Sequence, residues 1–384
     1  MKLVYYCPGS VGGISDYAYA QSAALAQAGV EVILLTVATG APQSKGFSCI
    51  SCLEDESQPV SSSSRILRRA GQCGRIRRNI FRLCTYVRSH QIQHVILASY
   101  SEYFAPMWSY QLRGLARSGV HLSAILHDPL RNYVVGPRWW HNWSVRSGYS
   151  FLSDVFVHEE VDRAEISVPD HIRLSVVPHG PFDFCPPVES REEIRLRLGI
   201  PAGAWLLLSF GQIRDGKNLD RVIRAMRDFD ELWLLVAGKE VGGVQHPLSY
   251  YQSIAEECGV ANRCRWISDY IPSEQVGSLF AASDLVLLTY SSSFRSASGV
   301  LNAAVQFGKP CLVSAGRGAL RTQVQKYHLG IWVEPDDDKA IRAGLHQFLQ
   351  VGAPDPLHVE YAGENSWQRN AEMVRDRLFS YHDP

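Results

Sequence analysis

The chain reads as an α/β protein of two doubly wound domains facing a central cleft, and three observations predict this. Its 384 residues exceed one ordinary domain and suggest two or three. Short runs rich in β-branched or aromatic residues alternate with longer helical patterns, and the alternation occurs twice. Between the two series lies VVPHGPFDFCPPVES, with four prolines in 15 residues, followed by a fresh helical pattern, REEIRLRLGI. That composition reads as a linker.

The strands of the first series are expected at Leu3–Tyr6, Val30–Thr36, His94–Ala98, Leu122–Leu126 and Asp154–Val157. Those of the second fall at Trp205–Phe210, Leu232–Ala237, Cys264–Ile267, Leu285–Leu288, Cys311–Val313 and Ile331–Val333. Their near-continuous apolar runs, each followed by a helix, mean parallel sheets covered on both faces. The expected organisation is a first domain over 1–182, a linker over 183–190 and a second domain over 191–362. Ligands of such sheets bind beyond the carboxyl ends of the strands.

Composition removes several functional classes. Hydrophobic residues make up 46% and charged residues 20%, which suits buried cores rather than disorder. Lys+Arg and Asp+Glu both total 38, so no global charge recommends a nucleic acid. No apolar run approaches the roughly 18 residues of a membrane span. The opening MKLVYYCPGS lacks a signal peptide's apolar stretch, so a cytoplasmic location is expected. Nine cysteines are scattered; Cys49 and Cys52 form a CxxC that cannot build a four-ligand zinc site alone. No cluster has metal-ligand spacing and no Gly-x-Ser-x-Gly elbow occurs, so neither a metal nor a resident cofactor is expected.

The segment from Ser61 to Arg88 differs. Four serines precede eight arginines in 24 residues, Arg65, Arg68, Arg69, Arg75, Arg77, Arg78, Arg82 and Arg88. Ile66, Leu67, Ile76, Ile80, Phe81 and Leu83 interleave at roughly helical spacing. Such a stretch can lie on an anionic membrane surface, or it is a solvated helix packed on its own domain.

Four loops follow strands and open helices. In CPGSVGGISDYAYAQSAALAQAG, Gly12 and Gly13 allow close backbone approach to a ligand, and Ser15 or Asp16 can cap the helix. A plain strand–helix turn is the alternative. No GxGxxG fingerprint fits there; the near match at Gly316-Arg317-Gly318 has Arg321 in its last position, which argues against a nicotinamide dehydrogenase. In LLLSFGQIRDGKNLDRVIRAM, Arg214 and Lys217 sit just ahead of a helix, where cations and amides would hold a diphosphate. Solvated surface charges are the alternative there. In TYSSSFRSASGVLNAAVQFGKPCLVS, Ser298 and Gly299 open a helix, with Arg295 able to reach over a second anion site, unless the loop is only structural. In AILHDPLRNY, His127 and Asp128 end the fourth strand of the first series, where a histidine can bond a substrate hydroxyl or move a proton, unless it is only structural, as a lone histidine more often is.

Lesser features keep two readings each. His179-Gly180 faces the cleft or orients the linker. Tyr133, Trp139, Trp140, Trp143 and Tyr149 stack on a sugar, contact lipid or pack the domain. Asp336-Asp337-Asp338 precedes AIRAGLHQF and reads as a helix N-terminus rather than a metal run.

With these residues in place, the chain resembles the retaining glycosyltransferases of family 4, which have the GT-B fold of two Rossmann-like domains. The resemblance rests on GGISDYAYAQSAALAQAGVEVILLT, FGQIRDGKNLDRVIRAM, DYIPSEQVGSLFAASDLVLLTY and SGVLNAAVQFGKPCLVS, in the family's order. ENSWQRNAEMVRDRL resembles the closing helix over 363–384 that returns to the first domain. The resemblance implies transfer of a glycosyl unit from a nucleotide-diphosphate sugar, with retention and without an obligatory metal. By it, Lys217 is the diphosphate lysine, Gly13 belongs to the amino-terminal glycine loop, and His127 lies near the transferred sugar. Tyr270 and Ile271 fall where the family's backbone binds the base, and Gln212, Ser298, Gly299 and Val300 fall in its two donor loops.

Two departures stand out. Gln212 occupies the place of a common arginine, and the usual glutamate pair falls on Arg295 and Ala303. Arg214 or Arg295 is then expected to restore the missing positive charge. The Ser-Gly-Val form of the last loop resembles a sub-branch of the family. The leading expectation is a glycosyltransferase acting on a glycan, glycolipid or small-molecule hydroxyl, with peripheral contact to the inner membrane face through Arg65–Arg88. The alternatives are a non-catalytic sugar-nucleotide-binding scaffold and a nucleotide-sugar epimerase.

Overall fold

The computed structural model describes residues 1–10, 12–38, 46–58, 64–129, 131, 134–181, 184–242 and 245–379; Tyr133 lies outside them. The chain divides into two compact units, residues 1–180 with 365–384, and residues 181–364. The division falls between Gly180 and Pro181, just ahead of the linker expected at 183–190, and again between Glu364 and Asn365.

The first unit runs β1 (Lys2–Tyr6), α1 (Gly13–Gln27), β2 (Glu31–Val37), β3 (Ser48–Leu53), α2 (Arg65–Ser89), β4 (His94–Leu97), α3 (Ala105–Arg117), β5 (His121–Leu126), α4 (Arg138–Tyr149), β6 (Asp154–Val157), α5 (Arg163–Ile166) and β7 (Arg173–Val176). Its seven strands are all parallel, in the order β3-β2-β1-β4-β5-β6-β7. β1 is central, with Val4 opposite Ile33 on one side and Val95 on the other. All three side chains are buried, as a strand covered on both faces requires.

The second unit runs α6 (Arg191–Arg197), β8 (Trp205–Phe210), α7 (Leu219–Ala225), β9 (Leu232–Ala237), α8 (Leu248–Glu257), β10 (Cys264–Ile267), α9 (Ser273–Ala282), β11 (Leu285–Thr289), α10 (Gly299–Gln306), β12 (Cys311–Ser314), α11 (Ala319–Tyr327), β13 (Gly330–Trp332), α12 (Asp338–Val351) and α13 (His358–Glu364). Its six strands are parallel in the order β10-β9-β8-β11-β12-β13. α6 starts at a capping box: the Ser190 hydroxyl accepts from the Glu193 amide while the Glu193 carboxylate accepts from the Ser190 amide. The last helix, α14 (Trp367–Phe379), belongs to the first unit and packs on α1. Ala371, Val374 and Leu378 share a buried cluster with Tyr5, Tyr17 and Leu25.

All eleven expected strands are present, with ends shifted by a residue at most. Two more, β3 and β7, were not expected, and they are the two edges of the first sheet. An edge strand is covered on one side only, so SCISCL and RLSV need no apolar run. At α1, neither Ser15 nor Asp16 caps the helix. Gly12 occupies the cap with a left-handed φ of 98°, and the Ser15 hydroxyl donates back to the Gly9 carbonyl at 3.4 Å.

Candidate functional site

In the second sheet the strand order reverses between β8 and β11, and an open α/β sheet holds its ligand at that reversal. The loop after β8 carries Gln212, Arg214 and Lys217; the loop after β11 carries Arg295, Ser298 and Gly299. The topology thus brings together two of the loops that the sequence singled out.

Lys217 closes a single 3₁₀ turn, Asp215–Lys217, and is only 7% exposed, which corrects the reading of it as a solvated surface charge. Its ammonium donates to the Phe210 carbonyl. A Cβ placed on Gly211 would meet Lys217 Nζ at 3.6 Å and Val300 Cγ2 at 3.8 Å, so these two side chains converge over the loop. Burial holds the Lys217 pKa down to about 7, and the neighbouring Arg214 charge adds to the effect. A buried ammonium without a carboxylate partner is a poor structural choice and a good anion ligand.

Arg214 lies 6.0 Å from the Tyr290 ring centroid and 5.8 Å from that of Phe294, two rings stacked at 4.0 Å. The Tyr290 hydroxyl is 3.3 Å from Ser298 Oγ, so Ser298, the N-cap of α10, spends its hydroxyl on the aromatic and not on the helix. The two loops are sewn to each other. The Thr289 hydroxyl donates to the Lys217 carbonyl at 2.8 Å, and the Ser291 amide donates to the Gly216 carbonyl at 2.9 Å. One carboxylate, that of Asp336, accepts from Asn218 Nδ2 at 2.9 Å and from Ser292 N and Oγ at 2.9 and 2.7 Å. The acidic run 336–338 is therefore two things: Asp337 caps α12, accepting from the Lys339 and Ala340 amides, while Asp336 joins the loops.

Other expected residues differ in burial. Gln212 and Arg295 are exposed, Tyr270 is 77% exposed, and the Ile271 side chain lies in the core. Ala303 is fully buried in the same core, so a glutamate there would not fit the packing. Among the described residues, no group of three or more His, Cys, Asp or Glu is placed to hold a metal ion.

In the first unit, Gly12 and Gly13 begin α1 and His127 directly follows β5. Tyr17, one turn into α1, packs against three histidines: ring centroids lie 4.7 Å from His127, 5.1 Å from His158 and 5.2 Å from His179. His158 was not foreseen, although it follows β6 as His127 follows β5, and that shared strand-end position was the available signal. The His158 Nδ1 donates to the Val177 carbonyl at 3.2 Å, and His179 Nδ1 to the Gly180 carbonyl at 2.7 Å. His127 bonds the Ala98 backbone, while its buried Nε2, like that of His158, has no hydrogen-bond partner. Burial and the neighbouring His179 bring the His127 pKa down to about 4; burial first, then the other two rings, holds His158 well below the ordinary imidazole range. These imidazoles are neutral at physiological pH, and His127 Nε2 is an unpartnered acceptor closed off from solvent.

A polar network fixes Tyr17. Its hydroxyl accepts from Gln21 Nε2 at 3.1 Å and Asn370 Nδ2 at 2.9 Å, and Asn370 also donates to the Pro178 carbonyl at 2.7 Å. Trp367 packs edge-on to Tyr17 at 4.9 Å and covers Gly180, where any Cβ would lie 2.3 Å from the indole. The aromatic group read as sugar- or lipid-stacking divides. Tyr149 is buried, bonded to Arg131 and the Ile166 carbonyl, whereas Trp139 and Trp143 are exposed.

Comparison with known proteins shows what the chain is similar to. Residues 190–366 match the family model described as Glycosyl transferases group 1. The whole fold is that of GT-B glycosyltransferases. A sucrose-phosphate synthase from Thermosynechococcus elongatus superposes with a TM-score of 0.74 at 16% identity, covering 99% of both chains. HepE of Anabaena, solved with UDP and glucose, superposes with a TM-score of 0.66 at 16% identity, over 99% of this chain and 95% of that one. Among curated sequences, a D-inositol 3-phosphate glycosyltransferase of Xylanimonas cellulosilytica is 29% identical over 199 residues, 49% of this chain and 46% of that protein. The same-named protein of Corynebacterium aurimucosum is 27% identical over 54% of this chain and 51% of its own. The chain thus spans about half the length of the curated relatives it matches.

Proposed function

We propose that the protein is a retaining, metal-independent glycosyltransferase of family 4, in the sub-branch with a Ser-Gly-Val loop. It moves a sugar from a nucleotide diphosphate to a hydroxyl of a glycan, glycolipid or small molecule. The observation that carries this reading is Lys217: a buried cation at the strand-order reversal, joined to the Val300 loop over Gly211. A leaving diphosphate there would be neutralised by Lys217 and Arg214, preorganised charges in a poorly solvated place. By the family resemblance His127 would serve the transferred sugar, and the departing phosphate would help deprotonate the acceptor. UDP-sugars are the first donors to test, since HepE was solved with UDP and glucose. The chain would work at the cytoplasmic face of the membrane, touching it through basic α2; no helix among the described residues is long and apolar enough to cross one.

The test is a thermal-shift screen of UDP-, GDP-, ADP- and TDP-sugars on the wild type and on Lys217→Ala. A ligand of the native state raises the melting temperature by mass action. Stabilisation of the wild type alone supports the donor site; no stabilisation by any nucleotide sinks it. A second reading, a sugar-nucleotide-binding scaffold without turnover, is favoured by the packing that excludes a carboxylate at Ala303. It predicts binding with neither transfer nor release of free nucleotide.

A further inference from the structure

The arginines of α2 serve neither group of residues described above. The 25-residue helix contains no acidic residue, and α3, packed beside it, contains none either. Ile76, Ile80, Leu83, Cys84 and Val87 take one face into the core. The cations then divide. Arg78 and Arg82 reach Glu54 at 2.7 and 3.2 Å, and Arg75 donates to the Asp55 and Gln58 carbonyls. On the side toward α3, a groove of about 670 Å³ opens between the helices, with Arg77, Arg78 and Arg88 from one wall and Tyr110 and Gln111 from the other. Both helices present a glycine here: a Cβ on Gly74 would crowd the Arg78 guanidinium at 3.3 Å, and one on Gly114 would meet that of Arg88 in ordinary contact at 3.7 Å. Among the described residues, neither Arg77 nor Arg88 forms an ion pair.

The groove has apolar neighbours in solvent. Phe81, 63% exposed, and Tyr110 line it. Ile66 and Leu67 on α2, Met107 on α3 and Trp139 on α4 are exposed as well. The three helices adjoin: Cys73 Sγ meets Met107 Sδ at 3.3 Å, and Tyr103 bridges Arg69 of α2 to Trp140 of α4. An acidic peptide would satisfy the guanidinium groups and leave these side chains in water. A bilayer surface satisfies both, since phosphates meet arginines where apolar and aromatic side chains enter the headgroup layer.

We propose that the groove between α2 and α3 binds the phosphate of an anionic membrane lipid through Arg77 and Arg88, with Phe81 and Tyr110 entering the bilayer surface beside it. The proposal deepens the membrane contact suggested above by naming its site and its ligand.

Flotation of the full chain with phosphatidylcholine vesicles, with and without phosphatidylglycerol, tests it. Arg77→Gln/Arg88→Gln and Arg75→Gln/Arg82→Gln remove equal charge, and melting curves verify that both are folded. The expected result is binding to the phosphatidylglycerol vesicles only, weakened about 30-fold by the first pair, at a factor of about five per cation, and much less by the second. Phe81→Ser should weaken it further at high salt, where the apolar part remains. Equal losses from the two pairs would show diffuse attraction and overturn the groove. Inorganic phosphate or polyglutamate that stabilises the wild type and not the Arg77/Arg88 variant, while vesicles go unbound, would assign the groove to a free anion or an acidic protein and overturn the lipid. Donor stabilisation measured on the same variants keeps this result separate from the donor-site reading.

Discussion

Asn218 and Asp336 both hold left-handed backbones, φ 51° and 60°, and the Asn218 amide donates to the Asp336 carboxylate at 2.9 Å across 118 positions of sequence. Non-glycine residues avoid this conformation, at a cost of order 1–3 kcal/mol each, unless their surroundings impose it. Here it aims both side chains at each other. The second Asp336 oxygen takes Ser292, so one carboxylate holds the residue after Lys217 and the loop leading to Ser298.

Asp336→Gly should therefore weaken both binding and folding. Glycine relieves the left-handed backbone, but three hydrogen bonds to a charged acceptor, worth about 1.5–3 kcal/mol each, are lost. We expect nucleotide-sugar affinity to fall by about tenfold and the melting temperature to fall with it, though less than in Asp336→Ala, which loses the same bonds and keeps the left-handed backbone. Calorimetric titration of both proteins reads this, and an unchanged affinity would make the brace irrelevant to the ligand.

Lys217 predicts a pH signature. Its folded pKa is depressed from the usual lysine range to about 7. Between that value and the unfolded pKa the unfolded chain holds the extra proton, so this group's contribution to stability rises with pH across that window and is lost as pH falls through about 7. A bound diphosphate reverses the depression, so at pH 8 binding should take up a proton and affinity should decline toward pH 9. Titrations in buffers of different ionisation enthalpy should agree below pH 6 and diverge at pH 8. No divergence would mean that Lys217 does not face the anion.

The buried histidines predict acid lability. His127, His158 and His179 have depressed pKa values, that of His127 about 4. Stability they contribute is full above the unfolded histidine pKa and is lost as pH falls toward 4, because the unfolded chain takes up protons that the folded one refuses. Urea midpoints should decline between pH 7 and 5. In the imidazole proton spectrum, a His127 resonance that titrates near 6.5 would contradict its burial.

Gly180 and Trp367 form a testable pair. Gly180→Ala places a methyl against the indole and should destabilise by about 1–3 kcal/mol, the usual cost of overpacking. Trp367→Ala, harmful alone, should remove that penalty in the double variant. A non-additive cycle in melting experiments is the expected outcome.

Apolar runs made eleven strands legible, among them β10 and β13 at the edges of the second sheet, and loops at strand carboxyl ends made Lys217, Ser298 and His127 legible. What escaped was relational. β3 and β7 carry the weak pattern of sheet edges. The partnership of Asn218 with Asp336, and of Tyr17 with Asn370, joins positions 118 and 353 residues apart, which no local spacing encodes. Asp336 was further hidden by lying beside Asp337, whose capping role explains the acidic run well enough to stop the search. Arginine counting likewise missed that α2 neutralises one flank internally and leaves the other open.

The return of α14 to the first unit gives synthesis an order. Domains fold as units while the chain emerges from its amino terminus. Residues 181–364 are contiguous and can complete their core before the chain is finished, but the first unit waits for residues 365–379. Until Asn370 and Trp367 arrive, Gln21 and Tyr17 have each other and Tyr5 but lack their bonds to Asn370, and Gly180 lacks its cover. A nascent chain stopped before that helix would expose an unfinished first unit to chaperones and proteases, so the amino-terminal half is the last part of the molecule to close.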